Sequence, residues 1–152
     1  MIGYAICGSF CTHKKSLEVL QNLKRDGWDL LPILSEISAN TDTRFGSAPG
    51  LVKAVTEITG NDPIVTIAGA EPLGPSKPLD ALIIAPCTGN TLAKLSHSIA
   101  DGPVTMAAKS HLRNGRPVIV AISTNDALAG AAENIGKLWG RKQYYFVPLR
   151  QD

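Results

Sequence analysis

The stretch that decides the fold is residues 81–91, which read ALIIAPCTGNT. Ala81 to Ala85 are apolar without alternation, which is typical of a strand buried on both faces of a parallel sheet. Pro86 ends the apolar run, and the small polar residues Thr88 to Thr91 follow almost at once. The stretch therefore predicts a central strand whose carboxyl end opens into a polar turn.

Apolar runs recur along the chain and alternate with segments of helical spacing. We predict further strands at 2–7, 30–34, 118–122 and 144–147, and helices that include 14–25, 51–58, 92–99 and 104–112. Because Pro32 has no N–H to donate, we expect the second strand to be bent or at an edge. Three prolines within 71–78 predict a loop. This order predicts an α/β, doubly wound parallel sheet with helices on both faces, a Rossmann-like and flavodoxin-like three-layer sandwich.

Length and composition favour one compact domain over residues 1–152. The chain is 44% hydrophobic and 18% charged, and its 15 basic and 13 acidic residues give a net charge of +2. Such a balance argues against a nucleic-acid-binding protein, which usually concentrates basic charge. The apolar start of the chain is too short to cross a membrane and lacks the features of a secretory signal. We therefore expect a cytoplasmic protein.

The cysteines are Cys7, Cys11 and Cys87, a set that cannot pair completely. Zinc and redox sites usually use C-x2-C, whereas the first two cysteines here are spaced C-x3-C. We expect reduced, mostly buried thiols and no metal site. The sequence also contains no H-E-x-x-H, G-x-S-x-G, P-loop or G-x-G-x-x-G motif, so we assign no catalytic residue.

Ligands of open parallel sheets bind beyond the carboxyl ends of the strands, so the residues after each strand are the candidates. Four such segments are small and polar: 8–13 (GSFCTH), 35–40 (SEISAN), 86–91 (PCTGNT) and 123–126 (STND). The cofactor-binding residues that we predict are Gly8, Ser9, Phe10, Ser35, Pro86, Thr88, Gly89, Asn90, Thr91, Ser123, Thr124 and Asn125.

Two of these segments are suited to a phosphate. Gly8 permits close backbone approach, Ser9 carries a hydroxyl, and a helix with free N–H groups follows. The turn of Thr88 to Thr91 offers a denser set of donors, which also suits a flat heterocycle. The alternative for each segment is an ordinary capped turn between a strand and a helix.

The remaining candidates are less specific. His13 lies beside the first loop and either contacts a ligand or is a solvated helix-start residue, whereas His97 and His111 should be at the surface or partly packed. Arg44 has the planar guanidinium that binds carboxylates, and Phe45 beside it could cover a ring, so we predict that Arg44 binds substrate. Arg44 could instead bind a cofactor phosphate or pair with Asp42, and Phe45 could instead be a plug on the core.

These motifs resemble a known family. The Ala85-Pro86 pair followed by CTGNT resembles the Pro-Ala-Ser-Ala-Asn-Thr motif with which the homo-oligomeric flavin-containing cysteine decarboxylases bind flavin mononucleotide (FMN). The loops at 8–10 and 123–125 resemble the flavin loops of the same family. The match narrows to the flavoprotein-like B subunits of dipicolinate synthase, over essentially the whole chain. The segments that carry it are 40–46, 71–75, 85–90, 106–109 and 122–128.

The resemblance implies an oxidoreductase subunit with FMN as its cofactor. It would act with the A subunit of dipicolinate synthase, a partner that supplies NAD(P), to oxidise a dihydrodipicolinate-type precursor to dipicolinate. By the same resemblance, the reaction would belong to sporulation and take place in the mother cell of a spore-forming bacterium. The resemblance also implies a homo-oligomer, because this family buries its flavin site between protomers.

Two departures from the family bear on these expectations. The decarboxylases carry a catalytic histidine after their second strand, but 40–46 contains none, which disfavours a flavin-dependent decarboxylase. The family usually continues beyond the point that corresponds to Asp152, so we expect a further C-terminal segment to be missing. A non-catalytic activating or scaffolding subunit with a vestigial flavin pocket is the main alternative.

Overall fold

A computed structural model describes residues 1–76 and 78–150. Lys77, within the predicted 71–78 loop, and residues 151–152, at the end of the predicted domain, lie outside the described residues. The strands are β1 (Ile2–Ile6), β2 (Leu30–Leu34), β3 (Ala81–Cys87), β4 (Val118–Ile122) and β5 (Tyr144–Phe146). The helices are α1 (His13–Arg25), α2 (Glu36–Asn40), α3 (Ala48–Thr59), α4 (Ile67–Ala70), α5 (Gly89–Ser96), α6 (Pro103–Leu112) and α7 (Ala132–Trp139), with 3-10 turns at Phe10–Thr12 and Glu71–Leu73.

The strands form one parallel sheet in the order β2-β1-β3-β4-β5. The chain moves from β1 outward to β2, and from β3 in the opposite direction to β4. The boundary between β1 and β3 is therefore the topological switch point, where open α/β sheets bind their ligands. The predicted fold class is confirmed.

The helices cover the sheet on both faces through two apolar cores. One core places Leu20 of α1 and Val55 of α3 against Tyr4 and Leu34 of the sheet. The other places residues of α5, α6 and α7 against alternate residues of β3 and β4, such as Ile84 and Val120. Both cores anchor the carboxyl ends of β1 and β3, so the loops beyond these ends start from fixed positions.

The edge position predicted for the second strand is confirmed. Pro32 pairs with Tyr4 of β1 in the parallel register, and β2 is the outermost strand. On its outer side, the Ile64 N–H donates to the Pro32 carbonyl over 2.9 Å, and the Leu34 N–H donates to the Ile64 carbonyl over 2.9 Å. The isolated bridge at Ile64 thus satisfies polar backbone groups that an open edge would leave to solvent.

Helix boundaries differ from the predicted ones in physically simple ways. The helix predicted at 92–99 begins at Gly89, because Thr88 caps it, and ends at Ser96. Ser98 has a φ of 58°, a left-handed conformation that does not continue a helix. The predicted 71–78 loop begins as a 3-10 turn with Pro72 at its second position, where a missing N–H costs nothing. No helix in the described part of the chain is long and apolar enough to span a bilayer.

His111 corrects a prediction, because the structure buries it completely near the end of α6. Its Nε2 donates to the Pro117 carbonyl over 3.0 Å, while its Nδ1 has no hydrogen-bond partner among the described residues. Burial lowers the pKa of His111, since a charged imidazole would lose its hydration. The sequence pattern did not indicate this, because helical spacing alone does not show how deeply one residue of α6 is buried.

The buried histidine predicts acid-sensitive stability. Because the folded pKa lies below the ordinary value, the unfolded chain binds a proton first once the pH falls below about 6.5. The free energy of unfolding should then decrease by at most about 1.4 kcal/mol per pH unit from this site. The variant His111→Gln retains a donor for Pro117 and removes the titration, so urea unfolding at pH 7.5, 6.5 and 5.5 should show a shallower pH dependence. Parallel curves for the two proteins would contradict the assignment.

Candidate functional site

The candidate site lies at the switch point, where Gly8 follows β1 and Thr88 follows β3. Two cavities open on either side of this pair, and both residues line both of them. We call them the β2-side cavity, of about 380 Å³, and the β4-side cavity, of about 640 Å³. A Cβ added to Gly8 would lie 2.7 Å from Ile37 Cγ2, which is closer than two carbon atoms can pack. Because Ile37 lines the β2-side cavity, a side chain at position 8 would displace part of the wall of that cavity.

A hydroxyl cluster joins the first and last polar loops. Ser123 Oγ shares hydrogen bonds with Ser9 Oγ over 2.9 Å and with Thr12 Oγ1 over 2.8 Å. The Ser9 hydroxyl also reaches the Ser123 carbonyl, over 3.2 Å. These residues are more than 110 positions apart, so the sheet alone brings them together. The cluster forms a wall of the β4-side cavity.

The start of α5 separates the two cavities. Thr88 Oγ1 accepts the Thr91 N–H over 3.1 Å, which leaves the N–H groups of Gly89 and Asn90 without a carbonyl partner in the helix. A Cβ on Gly89 would come within 3.2 Å of Thr124 Oγ1. A bulkier residue at position 89 would therefore press against the last polar loop and narrow the approach to the free N–H groups.

The β2-side cavity combines three elements that are distant in the chain. Ser35 precedes α2, Asn90 lies at the start of α5, and the segment from Gly102 to Thr105 begins α6. Pro103 has no N–H, and the next two N–H groups of α6 have no carbonyl partner within that helix. Lys94 adds a cation, which is held at 3.0 Å by Asp101. The free N–H groups of the two helix starts are donors for an anionic group, whereas the side-chain charges of the wall are Lys94, which Asp101 pairs, and the carboxylate of Glu36.

The β4-side cavity is larger and mixes polar with apolar walls. Its polar walls are Ser9, Thr12, Thr88 and the 123–125 loop, and its apolar walls include Ile122, Ala127 and Leu149. Arg150 stands at its border. An apolar surface next to convergent donors suits a flat heterocycle with polar edges.

Most of the predicted cofactor-binding residues line these two cavities. The exceptions are Phe10 and Pro86. Pro86 is buried within β3, where its carbonyl accepts the Cys7 N–H over 3.1 Å. Phe10 lines a third cavity. That the others bind a cofactor remains a prediction, although the structure gathers them at one edge: Gly8, Ser9, Ser35, Thr88, Gly89, Asn90, Thr91, Ser123, Thr124 and Asn125.

Two of the three cysteines lie buried beneath the site as free thiols, and Cys11 is a free, exposed one. Burial raises the pKa of Cys7 to about 11, and burial likewise raises the pKa of Cys87 well above its ordinary value. Thr91 Oγ1 donates to Cys7 Sγ over 3.4 Å. These thiols are protonated at neutral pH and therefore support the loops rather than act as nucleophiles.

The third cavity, of about 300 Å³, lies between the start of α1 and the 41–47 loop, and we call it the aromatic cavity because Phe10 and Phe45 line it. His13 lines it as well, and its ring centroid lies 5.1 Å from that of Phe10. The His13 Nε2 donates to the Cys7 carbonyl over 2.7 Å, and burial lowers the pKa of this imidazole. His13 is therefore half-buried and neutral rather than a solvated helix-start residue.

Arg44 lies between Thr43 and Phe45, which both line the aromatic cavity. Its guanidinium carbon lies 4.8 Å from the centroid of the exposed Phe45 ring. Asp42, the acidic partner considered for it, instead accepts the Ala48 N–H at the start of α3 over 2.8 Å. Arg44 does not line any of the three cavities, and that it binds substrate remains a prediction.

Sequence reasoning missed several residues that line the cavities. Thr12 lies inside one of the four polar segments, but only Gly8, Ser9 and Phe10 of that segment were predicted to bind the cofactor. Lys94 lies within α5, and the start of α6 follows α5 rather than a strand, so a search limited to the ends of strands does not reach them. The glycine-proline pair at 102–103 was the available signal, because proline favours the first position of a helix.

Comparison with known proteins agrees with this arrangement. A family model described as Flavoprotein matches residues 1–140. A parallel sheet with two polar cavities at its topological switch point is consistent with a nucleotide-binding flavoprotein fold. The chain belongs to the flavoprotein family.

The likeness extends to particular members. The chain is 42% identical over 151 residues to the B subunit of dipicolinate synthase of Bacillus subtilis, covering 99% of this chain and 76% of that protein. The crystal structure of the corresponding B subunit from Bacillus halodurans C matches with a TM-score of 0.86 and 39% identity, over 97% of this chain and 75% of that one. The predicted resemblance to these B subunits is confirmed.

A more distant neighbour shares the fold alone. A dodecameric FMN-dependent decarboxylase from Escherichia coli O157:H7 superposes with a TM-score of 0.72 at 23% identity, over 97% of this chain and 80% of that one.

The cap of α5 gives a test of how the site is held. Thr88→Ala removes the acceptor for the Thr91 N–H and should lower the free energy of unfolding by about 1 kcal/mol, whereas Thr88→Ser retains the hydroxyl and should lose only a fraction of that. Urea unfolding measures both variants. Equal losses for the two would mean that the methyl group, not the cap, stabilises this turn.

Proposed function

We propose that the chain is the flavin-binding B subunit of a dipicolinate synthase. It would act with a nicotinamide-binding A subunit to oxidise a dihydrodipicolinate-type precursor to dipicolinate during sporulation, in the cytoplasm of the mother cell. The observation that carries the proposal is the meeting of two polar cavities at Gly8 and Thr88, on the switch point of a flavoprotein-family sheet.

FMN fits the residues present. The β2-side cavity has the free N–H groups at the starts of α5 and α6 and the Asn90 side chain, which suit the phosphate, and Lys94 would be available to it if it exchanged Asp101 for the ligand. The β4-side cavity has the apolar wall and the amide and hydroxyl edges that suit the ring. When bound, FMN would supply the electron acceptor for the oxidation.

The chain's own residues would bind and orient the cofactor and shield it from water. The shared hydrogen bonds of Ser9, Thr12 and Ser123 fix the loops before a ligand arrives, so little ordering free energy is lost on binding. The protonated thiols and the apolar core beneath the loops keep water out of the floor of the site. Low polarity there would strengthen each hydrogen bond to a bound anion.

Contacts with other chains are part of the proposal. Large apolar side chains are exposed on the β5 side of the molecule, where Tyr145 is 57% exposed and Trp139, which stacks on Phe146 with centroids 5.3 Å apart, is 68% exposed. Leu128, which follows the cavity-lining residue Ala127 in the sequence, is 78% exposed. This apolar surface supports a homo-oligomer and contact with the A subunit.

A non-catalytic activating subunit is the second candidate. It is favoured by the composition of the flavin cavities, whose lining in the described part of the chain includes the paired Lys94 and Asp101 and the exposed Glu36, but no histidine. A flavin-dependent decarboxylase is a weaker candidate, because 40–46 has no histidine.

Asn90→Leu tests the flavin site. Asn90 is exposed at the start of α5, so the fold should persist while FMN binding, followed by fluorescence titration, should be abolished by the loss of the amide and the added bulk. The control is Asn22→Leu, at the far end of α1, which should bind FMN normally. Normal binding by Asn90→Leu would place the site elsewhere.

The same variant separates catalysis from scaffolding. Reconstituted with the A subunit, Asn90→Leu should lose synthase activity if this chain's flavin site takes part in the oxidation. Full activity in a complex that forms without flavin would instead support the activating subunit.

Arg44→Lys tests the proposed substrate residue. The change keeps the charge and loses the bidentate guanidinium, so affinity for pyridine-2,6-dicarboxylate should fall by about 1–3 kcal/mol with FMN binding unchanged. Calorimetric titration of both ligands measures this. A parallel loss of FMN affinity would assign Arg44 to the cofactor phosphate, and no change in either would leave it as a surface residue stacked on Phe45.

A further inference from the structure

The aromatic cavity is separate from the two cavities that we assign to FMN. Its apolar walls include Phe10, Leu17, Phe45 and Leu51, which face a space of about 300 Å³, enough for one small ring with substituents. Phe45 is 55% exposed rather than buried as a plug on the core. An aromatic side chain left half in solvent at a cavity mouth is free to cover a ligand.

Hydroxyl groups in the wall of this cavity have protons to donate. Ser38, which is 1% exposed, accepts a hydrogen bond from the Ser35 hydroxyl over 2.9 Å. Thr43 Oγ1 accepts the Phe45 N–H, and Ser47 Oγ accepts the Gly50 N–H, both over 3.1 Å. Each oxygen is thus used as an acceptor, so each hydroxyl retains its own proton for a further acceptor.

The charge of this cavity is positive. Lys14 lines it, the guanidinium of Arg44 lies over the ring of Phe45, and no Asp or Glu is among the described residues of its wall. His13 is neutral there because burial lowers its pKa. The carboxylate of Asp42 lies close by in the chain, but it is bound to the Ala48 N–H at the start of α3.

We propose that the aromatic cavity binds a small planar carboxylate, whose ring contacts Phe10 and Phe45 and whose carboxylate is bound by Lys14 and the hydroxyl protons of the wall. Apolar faces for a ring, donors without matching acceptors and an uncompensated cation together favour this ligand class. The inference rests on the proposed function only for the particular ligand, a pyridine dicarboxylate.

The position of the cavity is consistent with a substrate site. Ser35 lines the β2-side cavity, and its hydroxyl donates to Ser38 in the wall of the aromatic cavity. One hydrogen bond therefore joins the two walls. A carboxylate in the aromatic cavity would lie next to the residues that we assign to FMN, without competing for them.

Adjacent lysines at the start of α1 provide a matched test. Lys14 lines the cavity, whereas the exposed Lys15 does not. Calorimetric titration with pyridine-2,6-dicarboxylate should show at least tenfold weaker binding for Lys14→Gln and unchanged binding for Lys15→Gln. FMN affinity should be the same in both variants. Pyridine-2,6-dicarboxamide, which has a similar shape and no charge, should not bind, and amide chemical-shift changes on adding the dicarboxylate should concentrate in 10–17 and 38–51.

The outcomes separate this inference from the proposed function. If the wild-type protein binds FMN but not the dicarboxylate, or if Lys14→Gln and Lys15→Gln bind the dicarboxylate equally well, the inference is overturned and the flavin assignment stands. If the dicarboxylate binds in a Lys14-dependent way and FMN does not bind, the cavity is supported and the flavin assignment fails. Shift changes confined to other segments would also overturn the inference.

Discussion

The parallel pairing of β1 with β3 is the contact on which the site depends. Ile2 to Ala5 lie in register with Ala81 to Ile84, and the two apolar cores clamp this pair from both faces. Because their connections leave in opposite directions, the loops after Ile6 and Cys87 diverge and leave space between them. The cavities at Gly8 and Thr88 are consequences of that divergence rather than of any residue in the loops.

The hydrogen-bond donors around that space are held in place by hydrogen bonds between the loops. Ser9, Thr12 and Ser123 hold the first and last loops together, and Thr88 holds the start of α5. A site built in this way is shaped before its ligand binds. The thiols beneath it are protonated at neutral pH, because burial raises their pKa, so they support the loops and are poor nucleophiles.

The sequence was informative where short-range rules apply. Continuous apolar runs separated by segments of helical spacing predicted the strands and the fold class. Pro32 predicted that the second strand would be bent or at an edge, because the missing N–H of proline is a local property. The rule that ligands bind after strand ends selected most of the residues that line the cavities. It also selected Phe10 and Pro86, which line neither of the two cavities, and it did not reach Lys94 or the start of α6.

The sequence by itself determined the class of the protein: an α/β sheet with polar loops at its carboxyl edge and the motifs of a flavoprotein. Only the tertiary structure decided that His111 is buried and neutral, that Asp42 caps α3 instead of pairing with Arg44, and that Lys14 faces a cavity while Lys15 does not. Burial depends on segments far apart in the chain, and even the partners six positions away, Pro117 for His111 and Ala48 for Asp42, are reached only when the turns between them have formed. Local pattern cannot encode them, because those surroundings exist only once the sheet has assembled.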